Sequence, residues 1–220
     1  MIISFCIPVM NRLHDLRCTL FRTLAAAEAS PPVEVAILDY NSSDGLEAYV
    51  CQYGSQITYT RYQGREHYHA AHAWNLAVRC SAGEYVVIAG ADALFRENYV
   101  SVLRDLIATG AQWIRGRHYK GILCVERAEF VAAGGYDERF EFYGGEDKEL
   151  EDRLRRRGAQ FALLPDDLVY TLKTSNTDKI ANYRGEMTKQ EMMERGTVIR
   201  KANARAEVLV ANQGQRWGAM

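Results

Sequence analysis

The chain has 220 residues, 48% of them hydrophobic and 25% charged, proportions that suit a globular protein with one large core, or one core and a tail. Its 27 basic and 28 acidic side chains leave a formal net charge of −1, which gives neither the electrostatic footprint of a nucleic-acid binder nor a polybasic face for anionic lipid. Five cysteines (Cys6, Cys18, Cys51, Cys80 and Cys124) form no Cys-x-x-Cys pair and read as buried free thiols of a reducing compartment.

Met1 runs straight into an apolar stretch without a charged leader, and no stretch reaches the length of a membrane span. A cytoplasmic location is the expectation. Residues 2–7, ending at Pro8, predict a fully buried strand. Asn11, Arg12 and His14 form the loop after it. Leu13, Leu16, Leu20 and Leu24 keep helical spacing up to the break at Ser30-Pro31-Pro32. Residues 33–38 predict a second strand with Asp39 at its carboxyl end, and Asn41, Ser42, Ser43, Asp44 and Gly45 are turn and cap chemistry. A helix over 45–52 and a strand over 57–62 follow.

Three histidines, His67, His69 and His72, crowd the next segment. Their spacing fits neither a helical His-x3-His pair nor a zinc finger, so it does not point to a metal cluster. Further strands are predicted over 84–89, 112–115, 122–125 and 161–164, and helices over 98–108 and 127–133. Beyond Asn176 the chain turns polar, with one or two exposed helices over 186–206. Strands alternating with helices argue for an α/β fold built on a mostly parallel, doubly wound sheet. Ligands bind such sheets beyond the carboxyl ends of the strands, which puts residues 8–12 and 39–42 on one rim.

The most informative stretch runs from Gly134-Gly135-Tyr136-Asp137-Glu138-Arg139-Phe140 to Gly144-Gly145-Glu146-Asp147. Glu146, Asp147 and Glu149 fill the first turn of a helix, Arg153, Arg155, Arg156 and Arg157 its last turn, and Gly158 ends it. Leu150 and Leu154, one turn apart, mark its buried face. Complementing the helix dipole accounts for one or two of the acids. The glycine and aromatic residues ahead of them fit a second reading, in which an ionised carboxylate at the rim of a cleft accepts a proton.

These motifs resemble the acceptor-side signature of GT-A fold glycosyltransferases, nearest to glycosyltransferase family two and the galactosyltransferase-type C-terminal domain. The resemblance covers residues 1–185, with 1–95 as a nucleotide-binding half and 96–185 as an acceptor half, followed by a helical tail over 186–220. It implies that Pro8, Val9, Asn11, Arg12, Asn41, Ser42, Asn75, Ala91 and Asp92 contact the nucleotide. It also implies that Asp39 reads the uracil ring, although Asp39 is equally an ordinary turn starter. Tyr143, Gly144 and Gly145 would border the acceptor or donor sugar. Where the family carries Asp-x-Asp, this chain has Gly90-Ala91-Asp92, so only Asp92 is left to hold a divalent cation such as manganese or magnesium. The family's later metal-binding histidine is also absent from the region around Lys173. Weak metal dependence or none follows, with Lys173, His72 or Arg65 as candidates for neutralising the diphosphate. A solvated surface lysine explains Lys173 equally well. No organic cofactor is implied.

The resemblance implies an enzyme, a glycosyltransferase of hexosyltransferase type. It would move a sugar from a nucleotide-diphosphate donor, a uridine diphosphate sugar foremost, to a hydroxyl of a saccharide or small natural product, with inversion. Asp147 is the candidate base and Glu146 the holder of an acceptor or donor hydroxyl. Acceptor choice is expected in the loop over residues 115–121 and in the tail, whose isolated Trp217 folds over the cleft or makes a subunit contact in a homodimer. Two other classes stay open: a silent nucleotide-sugar-binding protein and a nucleotidyltransferase, the latter without its usual glycine-rich basic loop. The enzyme reading requires Asp39 and Asp147 to open onto one hollow.

Overall fold

Strand β1 (Ile3–Val9) is the axis of the molecule, because all seven of its residues are buried. In the computed structural model, which describes residues 1–118 and 121–220, it lies inside a seven-stranded sheet. To one side are β2 (Val33–Tyr40) and then β3 (Thr58–Tyr62), both parallel to it. To the other side β4 (Tyr85–Ile88) is parallel, while β7 (Leu123–Glu126) runs antiparallel to β4 and to β6 (Trp113–Gly116). The far edge is β8 (Phe161–Leu164), parallel to β6. The sheet is therefore mostly parallel, as the alternation of elements predicts, with β7 as the one reversed strand. A small antiparallel pair, β5 (Ala93–Phe95) and β9 (Val169–Thr171), stands beside it.

Side-chain alternation along β1 divides the core into two layers. Phe5 and Ile7 join Leu16, Leu20 and Leu103 on the face covered by α1 (Leu13–Glu28) and α4 (Tyr99–Ala108). Cys6 points the other way, into the layer formed with α3 (Ala70–Arg79), α5 (Arg127–Ala132) and α6 (Glu146–Arg156). Helix α2 (Leu46–Val50) and a following turn of 3₁₀ helix link β2 to β3. The cysteines are free, but only in part buried: Cys18 and Cys51 are exposed because they fall on the outer faces of their helices.

Residues beyond Asn176 form α7 (Asn176–Ile180) and one long helix, α8 (Lys189–Arg205), which opens with a full capping box between Thr188 and Glu191. Most of α8 is exposed, but Met192, Gly196 and Asn203 are buried where it crosses α6. The segment after it returns to the core: Ala211 N donates to Ala133 O at 3.0 Å, and Gly218 N to Glu138 Oε1 at 2.7 Å. Trp217, half-buried, packs against Phe130 at the margin of the α3–α5 layer with ring centres 6.0 Å apart, and does not line the cavity described below. Of the loop over 115–121 expected to choose the acceptor, residues 119 and 120 lie outside the described residues. No helix among the described residues is long and apolar enough to cross a membrane.

Candidate active site

A cavity of about 410 Å³ opens beyond the carboxyl ends of β1 and β4. Pro8, Met10 and Arg12 line it from the end of β1, and Gly90, Ala91 and Asp92 from the turn after β4. Tyr143, Gly144, Gly145, Glu146 and Asp147 face them from the start of α6. Tyr68, Trp74 and Tyr183 add an aromatic wall, and Lys179 and Arg200 add charge. The chain distance between these segments hides the wall from sequence inspection; only the aromatic richness of residues 62–74 hinted at it.

The diglycine is a packing requirement. Gly144 and Gly145 have φ of 93° and 99°, a region that side chains rarely adopt. Helix α8 also presses on this loop: a Cβ added at Gly196 would sit 2.2 Å from Gly144 O. The loop delivers Glu146 and Asp147 to the first turn of α6. Asp147 Oδ1 accepts the Lys148 backbone N–H at 2.7 Å. Glu146 Oε2 is sealed from solvent without a hydrogen-bond partner. Burial, and then the neighbouring Asp147 charge, push the Glu146 carboxyl up to about 8. At Glu146 desolvation thus outweighs the favourable position in the first helical turn.

Beneath the site Arg153, in the basic last turn of α6, is completely buried. Its Nε donates to Glu149 at 2.8 and 2.9 Å, its Nη2 to Gly135 O at 2.7 Å, and its Nη1 to Ala133 O. One guanidinium thus ties the first diglycine segment to α6.

Several residues expected at the nucleotide do other work. Asp39 is 1% exposed; its Oδ1 accepts Ser42 N–H at 2.7 Å and its Oδ2 accepts Tyr59 O–H at 2.7 Å. Ser42 Oγ accepts from Asn11 N and donates to Val9 O, while Asn11 Oδ1 accepts Ser43 N–H at 2.8 Å. Asn41 donates to Arg65 O at 3.0 Å. These bonds knit the loops after β1 and β2 together, and Val9, Asn11, Asn41 and Ser42 do not line the cavity. Asp39 borders a separate shallow hollow with Ser43 and Arg61, which shares no lining residue with the first. The expected common hollow of Asp39 and Asp147 is therefore not formed; Arg12 and Asp92 line the cavity with Asp147 instead, so the enzyme reading rests on those two residues and no longer on Asp39.

Asn75 lies in the middle of α3, is fully buried, and clamps the Gly-Gly-Tyr segment: it donates to Tyr136 O and Glu138 Oε1 and accepts from Tyr136 N. His72 sits between Tyr40 Oη at 2.9 Å and Ala219 O at 3.1 Å, so Nε2 donates and Nδ1 accepts. Burial lowers its pKa, and with both ring nitrogens engaged it does not line the cavity. Arg65 and Lys173 are exposed and do not line the cavity.

The donor set does not fit a divalent cation. Among the described residues no group of three or more His, Cys, Asp or Glu side chains is placed to hold a metal. A Cβ at Gly90 would lie 2.7 Å from Asp92 Oδ1, so a second carboxylate at that position would collide with Asp92 as it stands. Asp15, an acid of the same cavity whose charge bears on Asp92, is committed to Arg12 Nε at 2.6 Å.

The profile of glycosyl transferase family 2 matches residues 4–140. The chain belongs to this family. A profile described as the N-terminal domain of galactosyltransferase matches residues 114–176, which contain both diglycine motifs. No curated protein matches the chain. Among solved structures it resembles S. aureus TarS 1-349 in complex with UDP, at 14% identity over 90% of this chain and 65% of that one, with a TM-score of 0.68. It also resembles the mannosyltransferase PcManGT from Pyrobaculum calidifontis in complex with GDP-Man and Mn2+, at 16% identity over 93% and 75%, with a TM-score of 0.65. A third likeness is the catalytic domain of Drosophila beta1,4galactosyltransferase 7 in complex with xylobiose, at 15% identity over 88% and 79%, with a TM-score of 0.60. The chain spans between 38% and 65% of the TarS chains. The α/β architecture of this family 2 member is accordingly the GT-A fold.

Proposed function

We propose that this family 2 protein transfers a sugar, with inversion, from a nucleoside-diphosphate donor, a uridine diphosphate sugar first, to a hydroxyl of a saccharide or small natural product. One observation carries the reading: Glu146 and Asp147, at the start of a rigid helix, face Arg12 and Asp92 across a single cavity. An acceptor hydroxyl oxygen forms the new bond to the anomeric carbon from the face opposite the leaving group. The old carbon–oxygen bond breaks with its electron pair passing to the diphosphate. The hydroxyl proton goes to the Asp147 carboxylate.

Glu146, holding its proton until about pH 8, is suited to donate a hydrogen bond to a sugar hydroxyl or ring oxygen. Trp74 and the tyrosines supply flat apolar faces for sugar rings. On the donor side the reading keeps Pro8, Arg12, Ala91 and Asp92 as nucleotide contacts. Structural neighbours solved in complex with UDP, UDP-GlcNAc and GDP-Man support a nucleotide-sugar donor without choosing the base.

A thermal-shift screen against uridine and guanosine diphosphate sugars, followed by measurement of released nucleoside diphosphate, tests the proposal. Stabilisation by one donor class and its turnover on adding an acceptor are expected. Stabilisation with neither transfer nor hydrolysis would identify a silent binding protein instead.

A further inference from the structure

We propose that the diphosphate is neutralised by two side chains of the protein itself, Arg12 from the end of β1 and Lys179 from α7, acting in place of a divalent cation. This rests on the nucleotide-diphosphate reading above and names the groups that serve it. The cavity holds four cationic side chains: Arg12, Lys148, Lys179 and Arg200. Arg200 is tied up by Asp152, to which its Nε donates at 2.8 Å, and Lys148 lies beside Asp147 at the acceptor end. Arg12 and Lys179 remain on the side of Asp92. Both bear on that carboxylate: burial raises its pKa, while the Arg12 and Lys179 charges draw it back.

Arg12 is held rigidly. Its Nε donates to Asp15 Oδ2 at 2.6 Å, its Nη1 to Asp178 O at 3.0 Å and its Nη2 to Thr174 Oγ1 at 3.3 Å. Asp15 removes part of its charge, so Arg12 alone would leave most of a diphosphate uncompensated. Lys179 supplies the remainder: no side-chain hydrogen bond or ion pair engages its ammonium among the described residues. It is a part-buried cation facing a cavity that has lost the family's metal-binding carboxylate at Gly90. A fixed positive group near the leaving oxygens does in a water-poor site what a bound cation would do.

The same bonds make the cation pair conditional on the segment over residues 174–183. Asn182 donates to Met10 O at 2.8 Å and accepts from Asn11 Nδ2 at 3.2 Å, while its own carbonyl accepts Tyr68 N–H at 2.7 Å. Lys179 therefore reaches the site only while this segment is seated across the end of β1. Lys173, six positions earlier, stays outside and serves as the control.

Calorimetric titration with UDP, and with GDP in parallel, is the test, run in EDTA and again in excess Mn2+. The wild type is expected to bind the same nucleotide with equal affinity, within about twofold, in both buffers. Lys179→Ala should weaken that binding about tenfold or more in EDTA, Lys179→Arg should recover most of it, and Lys173→Ala should change nothing. UMP, with one phosphate fewer, should lose less from Lys179→Ala than UDP does. Unchanged melting temperatures of the variants would exclude misfolding as the cause. Binding that appears only with Mn2+, or a Lys179→Ala variant that binds UDP as the wild type does, overturns the cation pair while leaving the transferase reading intact. No binding of either nucleotide in either buffer overturns both.

Discussion

Asn203 and Glu149, 54 positions apart in sequence, are joined by a hydrogen bond of 2.8 Å from the Asn203 amide to Glu149 Oε1. The second amide hydrogen of Asn203 goes to Asp137 Oδ2 at 2.9 Å. Asp137 also takes the Arg139 guanidinium, and Glu149 takes that of Arg153. A single neutral side chain on α8 therefore bridges two ion pairs, a half-exposed one in the Gly-Gly-Tyr-Asp segment and a fully buried one in the helix that carries Asp147.

Removing that bridge leaves two buried carboxylate oxygens short of a donor. Asn203→Ala is expected to lower the unfolding free energy by about 2–4 kcal/mol, since each bond to a charged group is worth roughly 1.5–3 kcal/mol and the two share one network. Denaturant midpoints measure it. A loss below about 0.5 kcal/mol would mean that water replaces the amide without cost.

Asp147→Asn keeps shape and hydrogen-bonding reach but cannot take a proton. Turnover is expected to fall by a factor of about 10²–10⁴, the usual contribution of a positioned base, with nucleotide affinity nearly unchanged. Single-turnover kinetics beside a nucleotide titration give the two numbers. Wild-type turnover in this variant would pass the role to another group, Glu146 first.

Glu146 sets a pH dependence whose sign is fixed. Its carboxyl rises from 4.5 to about 8 on folding, so the folded state holds the extra proton between those values. Its contribution to stability is fully present below the unfolded pKa and is lost as pH rises through about 8. Glu146→Gln removes the ionisable group. The variant should gain on the wild type as pH rises from 5.5 to 8.5, by on the order of 2 kcal/mol at the upper end after allowing for the part of the side chain that meets solvent. Parallel thermal melts across that range would contradict the assignment.

Trp217 packs edge-on to Phe130, and the Arg79 guanidinium lies 5.5 Å from its ring centre. Trp217→Ala is expected to cost about 2–3 kcal/mol in denaturant unfolding, less than a fully buried tryptophan because part of the ring is exposed. Turnover per folded molecule should hold, because the ring does not line the cavity. A selective loss of turnover at unchanged stability would return Trp217 to the active site.

Local patterns carried the fold a long way. The apolar run of β1, the Leu13–Leu16–Leu20–Leu24 stripe and the charge gradient of α6 each depend on neighbours within a turn or two, and each lies where expected. The site was legible only where one segment supplies it, as residues 143–147 and 91–92 do. Asn75 and His72 escaped because their partners are Tyr136 and Ala219, 61 and 147 positions away, and no spacing rule reports such a pairing. Asp39 looked free because Tyr59, which claims its second oxygen, arrives from the next strand. The burial of Arg153 has no local signal either, since the carbonyls that take its guanidinium belong to Ala133 and Gly135. Lys173 and Lys179 differ by less than two helical turns, and only the course of α7 decides which one faces inward.

The return of residues 211–219 to the α3–α5 layer bears on how the protein is made. Arg79 Nη1 reaches Trp217 O, 138 positions downstream, and Ala211 and Asn212 hold the Gly134–Tyr136 backbone. During synthesis, most of the sheet leaves the ribosome long before these partners do. A nascent chain that has not yet added residues 211–219 thus carries most of the sheet while the Gly134–Tyr136 backbone still waits for its partners.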